Sequence, residues 1–359
     1  MLTVLSVAYP FAPVGLDAVG GAEQVLSTLD RALTEAGHRS LVVACEGSVA
    51  AGTLLSIPRL RAVDLDATAR AAIYQELRTV VARAAGEADL VHMHGIDFHE
   101  YLPTQGPPTL VTLHLPLDWY PRNVVAGRQG PAAVRTDSGG RGRASGRVFF
   151  NCVSQSQAAV CPPGMELAAV IANGVPVDAL QARHSVRGYV LTLGRICPEK
   201  GQHLALQAAH AAGISLLLGG EVFPYAEHRA YFEDRVRPLL DHRRRYLGPV
   251  GFARKRRLLT GARCLLVPSL AAETSSLVSM EALACGTPVV AFRSGALPEV
   301  VEDGRTGFLV DGVDQMAEAI RWSGKIDRDV CRSVARLRFS AGRMARQYLA
   351  LYERLCSLQ

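Results

Sequence analysis

The sequence predicts an α/β fold of two Rossmann-like domains, and three observations carry that expectation. A chain of 359 residues is long enough for two domains, each with its own core. Two distant stretches, Val4 to Ala44 and Tyr189 to Leu218, each read as apolar strand, glycine-containing loop, amphipathic helix and second apolar strand. Continuous apolar strands alternating with helices are the pattern of doubly wound sheets, which helices cover on both faces.

Composition narrows the class. Hydrophobic content of 49% and charged content of 20% describe an ordinary globular protein. The 39 Lys and Arg outnumber the 33 Asp and Glu, giving a formal charge of +6. Arg-rich codon usage produces the same excess, so the charge does not argue for a nucleic-acid partner. The eight cysteines are scattered and none forms a C-x-x-C pair, which reads as reduced core thiols in a cytoplasmic protein. The chain opens directly on the strand-like Met1 to Ala8, and it holds no apolar run of about 18 residues. Neither a leader nor a spanning helix is expected, while a peripheral membrane contact stays open.

In order, Val4 to Ala8 is a strand and Tyr9 to Gly21 a Pro/Gly loop. A helix from about Ala22 aligns Val25, Leu26, Leu29, Leu33 and Ala36, stops at Gly37, and feeds the strand Leu41 to Ala44. Gly20 and Gly21 fall at the strand-to-helix turn, where backbone amides can face a phosphate or simply make a turn. Asp66 to Ala85 reads as helix. Asp89 to His94 is a strand whose His92 and His94 point the same way, a spacing that could hold a metal with His99 or simply line the strand tip. Thr109 to His114 is an apolar strand ending in histidine. Residues 127–146 are rich in Gly, Arg and Ser, as expected for a loop that is either a lid or a plain insertion. Val148 to Ser154 resumes as strand, and the hinge to the second domain falls between about 174 and 187.

The second half repeats the logic. Tyr189 to Gly194 is a strand, Arg195 to Gly201 a loop, Gln202 to Ala212 a helix and Ile214 to Leu218 a strand. A charged helix is expected to run to about Arg245, and Arg254 to Arg257 reads as a solvated helix face. Arg263 to Ser269 is a buried strand. Beyond it, Glu273 and Glu281 place one carboxylate in a polar loop and one inside a helical segment with Leu277, Met280, Leu283 and Ala284 at core spacing. Thr274, Ser275 and Ser276 supply cap-type hydroxyls and free N–H groups at that helix start, a ready site for a phosphate flanked by hydroxyl groups. Gly286-Thr-Pro ends the helix before the strand Val289 to Phe292, and a last helix covers Ala341 to Cys356.

Glu273, seven residues, Glu281 and then Ala282-Leu-Ala-Cys-Gly-Thr-Pro-Val-Val290 together resemble the donor-site signature of retaining, nucleotide-sugar-dependent glycosyltransferases with the GT-B fold, in family four. Gly194-Arg195 followed by Pro198-Glu199-Lys200-Gly201 matches the family's second motif. Gly20-Gly21-Ala22-Glu23, Asn173-Gly174, Ser294 to Glu299 and Asp303 to Val310 complete a looser pattern. The departure is Thr274-Ser275-Ser276, where the family usually has Gly-Phe-Gly, and it bears on sugar preference.

The resemblance implies two domains facing each other across a cleft: residues 1–180 for acceptor, 181–340 for donor, and 341–359 crossing back onto the first. Arg195 and Lys200 would hold the donor diphosphate, helped by amides near Gly20, Gly21 and Thr274 to Ser276. Glu273 would bind sugar hydroxyls, Glu281 the ribose diol and Val250 the base through its backbone. His114 would sit beside the anomeric centre, with His94, Asp97 and His99 towards the acceptor. The implied reaction is hexosyl transfer with retention, best matched by UDP-glucose as donor, to a small-molecule, lipid or glycan acceptor. No cofactor, metal or nucleic acid is expected, because two fixed cations can neutralise a departing diphosphate. The rivals are an NAD(P)-dependent Rossmann oxidoreductase, which needs a G-x-G-x-x-G that Gly15 to Gly21 does not supply, and a non-catalytic polyanion- or RNA-binding protein, which has no use for Glu273 and Glu281. Oligomeric state is left open.

Overall fold

The computed structural model describes the chain apart from residues 16, 19, 61–65, 126–146, 183 and 359, so the lid expectation for 127–146 lies outside the described residues. The chain divides into two units, Met1–Ala172 with Met344–Gln359, and Asn173–Arg343. The sequence had placed these divisions at 180/181 and 340/341.

The first unit is a seven-stranded sheet of β1 (Thr3–Val7), β2 (Arg39–Cys45), β3 (Thr53–Ile57), β4 (Leu90–Met93), β5 (Thr109–Leu113), β6 (Val148–Cys152) and β7 (Leu167–Val170). Its order is β3-β2-β1-β4-β5-β6-β7, and every pairing is parallel. The central strands β4 and β5 are buried throughout, which is why they are continuous apolar runs. The edge strands β3 and β7 are only partly buried and carry no such signal, and sequence reading missed both. Helix Gly21–Glu35 covers one face with Val25, Leu26, Leu29 and Leu33.

The last helix, Ala341–Cys356, brings Tyr348 and Tyr352 onto this unit as fully buried side chains. They close a polar network with three strand residues. His92 contacts Tyr352 Oη through Nδ1 at 2.7 Å and Thr112 Oγ1 through Nε2 at 2.6 Å. Thr112 in turn donates to Asn151 Oδ1 at 2.7 Å, and Asn151 Nδ2 donates to Tyr348 Oη at 3.0 Å. Because Thr112 spends its hydrogen on Asn151, His92 carries its proton on Nε2 and accepts from Tyr352. Every polar atom so buried has a partner, the condition under which such a network fixes a helix in place.

The second unit is a six-stranded parallel sheet of β8 (Tyr189–Leu193), β9 (Ser215–Gly219), β10 (Arg244–Tyr246), β11 (Leu265–Val267), β12 (Val289–Phe292) and β13 (Gly307–Val310), in the order β10-β9-β8-β11-β12-β13. The charged helix does not reach Arg245. Helix Ala226–Tyr231 continues through a π-turn to Val236 and a tight 3₁₀ turn at Arg237–Leu239, where Pro238 removes a backbone donor and stops it. Arg244 and Arg245 therefore lie in β10. In each sheet the strand order reverses once, between β1 and β4 and between β8 and β11, and such switch points are where open α/β sheets bind ligands. No helix among the described residues is long and apolar enough to cross a membrane.

Candidate functional site

The second switch point assembles the best-formed site. The loop leaving β8 and the loop leaving β11 bring Lys200 and Glu273 together, with Nζ 2.5 Å from Oε1. Ser269 Oγ donates to the same carboxylate oxygen. Burial pushes the Glu273 carboxyl up, but Lys200, Ser269 and Arg195 outweigh it and hold it below the usual carboxylate range. Glu273 is thus an anion with one partner in reach of solvent, since the Lys200 side chain keeps 35% of its exposure and Glu273 only 10%. Arg195 lies on the same loop, with its guanidinium over the Phe223 ring at 5.8 Å. Gln202 Nε2 donates to the Arg195 carbonyl at 2.7 Å and pins the loop to the following helix.

Two glycines make this convergence sterically feasible. Gly201 has φ +61°, and a Cβ there would lie 2.3 Å from the Pro268 carbonyl oxygen. Gly295 has φ +54°, and its Cβ would lie 2.2 Å from the Glu273 carbonyl oxygen. Gly295→Ala is expected to cost about 2–4 kcal/mol from the left-handed backbone and the overlap together. That corresponds to a fall in Tm of roughly 4–16 °C, with donor use impaired because Glu273 moves. Differential scanning calorimetry checks this, and an unchanged Tm would mean the loop yields freely.

Eight residues on, Glu281 stands on helix Leu277–Ala284 and pairs with Lys255, Nζ to Oε1 at 2.5 Å. Both side chains are largely buried, at 5% and 14% exposure. The solvated helix face expected for Arg254 to Arg257 does not include Lys255, which faces inward over the Phe252 ring while Arg256 caps the Ala179 carbonyl. Ser276, the N-cap of the Glu281 helix, makes no side-chain cap bond, contrary to the capping role expected of it. Its hydroxyl contacts Ser279 Oγ at 2.7 Å instead. Ser276 has φ +57°, the sole positive φ at a non-glycine among the described residues, so the backbone keeps the form a glycine would adopt. Ser275 Oγ is buried with no partner among the described residues, and Thr274 is half-buried beside it. Val250 lies beyond β10, against Gly219, where a Cβ would meet Val250 Cγ2 at 2.8 Å.

Cys197, Glu199 and His228 are close enough to share a metal ion, each offering one ligand atom within 4.8 Å of the others. Burial and a hydrogen bond to Glu199 push the Cys197 thiol up to about 11, so in the absence of a metal it is protonated at neutral pH. Arg195 also acts electrostatically on both Glu199 and His228, which disfavours a second cation there.

At the first switch point Gly20 is the N-cap of helix Gly21–Glu35 and Gly21 its exposed first residue. Glu23, which sequence reading left without a role, is buried against them, and a Cβ on Gly20 would lie 1.8 Å from Glu23 Oε2. Burial raises the Glu23 carboxyl, against a hydrogen bond from its own backbone N–H. His114 follows β5, with Nε2 3.0 Å from His94 Nδ1 and the two rings stacked. Burial lowers all three imidazoles of this group, His92, His94 and His114, the last to about 3, so each is neutral. The metal alternative for His92, His94 and His99 fails on geometry: both His92 nitrogens are engaged and the three do not converge. Both Asp97 carboxylate oxygens accept tyrosine hydroxyls, from Tyr101 at 2.7 Å and Tyr74 at 2.8 Å. His99 lies 3.7 Å from Glu100.

Comparison with known proteins agrees with this geometry. A family model described as glycosyltransferase family 4 matches residues 19–179, and one described as glycosyl transferases group 1 matches residues 187–323. The D-inositol 3-phosphate glycosyltransferase of Mycobacterium tuberculosis is 38% identical over 166 residues, which is 44% of this chain and only 32% of that relative. Among solved structures, the glycosyltransferase AviGT4 of avilamycin A biosynthesis superposes with a TM-score of 0.72 at 23% identity, covering 99% of this chain and 98% of that one. Sucrose-phosphate synthase from Thermosynechococcus elongatus gives 0.75 at 19% identity with both chains covered fully. Anabaena HepE in complex with UDP and glucose gives 0.72 at 18% identity, over 99% of this chain and 100% of that one. Neither rival reading, oxidoreductase or RNA-binding protein, finds support among these matches. With a family 4 domain in its first half and a group 1 domain in its second, the chain belongs to the glycosyltransferases of the GT-B fold.

Proposed function

We propose that this protein transfers a hexosyl group from a nucleotide sugar to an acceptor hydroxyl with retention of anomeric configuration, and that it does so in the cytoplasm without a metal or cofactor. The observation that carries the reading is the Lys200–Glu273 pair at the β8/β11 switch point, with Arg195 on the same loop. A departing nucleoside diphosphate gathers negative charge, and Lys200, Arg195 and the N-terminus of helix Leu277–Ala284 are fixed positive groups positioned to meet it. Glu273, kept ionised, accepts from sugar hydroxyls. Glu281, oriented by Lys255, accepts from the ribose diol. His114 is neutral and serves as a hydrogen-bonding group beside the sugar, not as a cation. The amides at Gly20 and Gly21 assist the diphosphate, and Val250 meets the base. Eight free thiols suit a reducing compartment.

UDP-glucose is the first donor to test, since HepE was solved with it. Inositol 3-phosphate joins lipid and glycan acceptors in the panel because a relative carries its name. Thermal-shift measurements against UDP-, GDP-, ADP- and dTDP-sugars are expected to single out one base, since a ligand at 100 times its Kd adds about 2.7 kcal/mol of apparent stability. Transfer with the selected donor is expected to survive EDTA. Failure of every nucleotide sugar to stabilise the protein would overturn the donor assignment, and loss of turnover in EDTA with recovery on Mg²⁺ or Mn²⁺ would overturn metal independence.

A further inference from the structure

Four arginines from three separate segments line one cavity of about 500 Å³ in the second unit: Arg187, Arg245, Arg254 and Arg257, joined by His184. The convergence follows from local periodicity. Arg254, Arg257, Leu258 and Gly261 share one face of helix Phe252–Gly261 at i, i+3, i+4 and i+7, while Lys255 and Arg256 point elsewhere. In β10 the side chains alternate, so Arg244 is buried against Asp241 and Arg245 faces the cavity. Arg187 is tied down by its backbone N–H, which donates to the Gly261 carbonyl at 2.8 Å. Tyr189, Leu217, Leu247 and Leu258 complete the lining as an uncharged floor.

No carboxylate lines this cavity, and none of its four arginines makes an ion pair among the described residues. Neighbours elsewhere do pair: Arg237 with Glu233, Arg244 with Asp241 and Arg336 with Asp178. Four uncompensated guanidinium groups around one concavity repel one another, and the arrangement is relieved by a multivalent anion whose oxygens accept their forked N–H groups. The lining runs along β8, β9 and β10, with Leu217 and Arg245 level with Leu191 in the middle of β8, and it includes none of Arg195, Lys200, Glu273 or Glu281. Its volume suits a molecule of nucleotide or sugar-phosphate size.

We propose that this cavity is a second anion site, separate from the Lys200–Glu273 site, for a small organic molecule bearing two phosphate groups. Isothermal titration with fructose 1,6-bisphosphate as probe tests it. The Lys200→Met variant serves as the parent, so that the donor site, left with Arg195, contributes less. One-site binding is expected, weakened about tenfold or more by Arg187→Gln with Arg257→Gln, because two charge-assisted contacts are lost. Both positions are solvent-exposed, so an unchanged Tm is expected for the double variant. Absence of saturable binding, or equal binding by the double variant, overturns the proposal. A parallel arm uses phosphatidylglycerol vesicles: sedimentation with vesicles that depends on these arginines, without binding of the soluble bisphosphate, would reassign the patch to a membrane surface and overturn the small-molecule site.

Discussion

Lys200→Met is expected to lower kcat/KM for the nucleotide sugar by about 10²–10³-fold, the usual cost of removing one fixed group that meets developing charge. Two effects combine. The diphosphate loses a cation, and Glu273, 90% shielded, loses the partner that holds it ionised, so burial then drives its carboxyl upward. Stability should fall by only about 1–2 kcal/mol, because Lys200 is a third exposed and solvent screens the pair. Glu273→Gln alone should cost a comparable factor, and the Lys200→Met/Glu273→Gln double variant should be little worse than either single, since residues acting as a unit are strongly non-additive. Steady-state kinetics at varied donor concentration decide the matter. Parent-like kinetics in Lys200→Met would place the phosphates elsewhere, and independent, additive losses would mean that the ion pair has no part in catalysis.

The sequence made Lys200 and Glu273 candidates through their motifs, but it could not show that they touch. They are 73 positions apart, and their contact exists because β8 and β11 are neighbours, an adjacency set by sheet order. Elements fully buried on both faces were legible, since burial demands unbroken apolar runs; β4 and β5 show this directly. Edge strands β3 and β7 escaped because half-solvated backbone tolerates Ser, Thr and Ala. Lys255 was hidden for a different reason. Within Arg254-Lys-Arg-Arg257 every residue carries the same charge, so composition cannot tell which one turns inward to Glu281, which caps a carbonyl and which two line a cavity. Ser276 inverts the usual inference: a glycine signature is missing, yet the glycine-like backbone remains. Pro238 was a readable signal for the helix end before β10, and a helical reading carried past it overlooked the rule.

Acidification from pH 7 to 5.5 is expected to destabilise the first unit by up to about 4 kcal/mol. The cause is the buried group His92, His94 and His114, all held neutral by burial, with His114 lowered to about 3. Their folded values lie below the unfolded value of about 6.5, so the unfolded chain binds more protons as pH drops through 6.5. The stability they contribute is therefore present above that value and lost as pH falls towards the folded one. By pH 5.5 each unfolded imidazole is about nine-tenths protonated and each folded one still neutral, a difference of about 1.3 kcal/mol per group relative to pH 7. His203 and His228 in the second unit are shifted the same way by burial and add to the trend there. Glu23 and Asp97, raised by burial, act in the opposite sense, because each takes up its proton in the folded state at a higher pH than in the unfolded chain, and they offset part of this loss. The three imidazoles therefore set the upper limit of about 4 kcal/mol. The fall in Tm is expected to be at most roughly 8–16 °C for a domain of this size. His114→Gln keeps a side-chain amide near His94 while removing one titrating group, so its pH-dependent loss should shrink by about a third. Equal Tm values at pH 7 and 5.5 would show that the imidazoles are not held neutral, and an undiminished loss in His114→Gln would assign the effect to other groups.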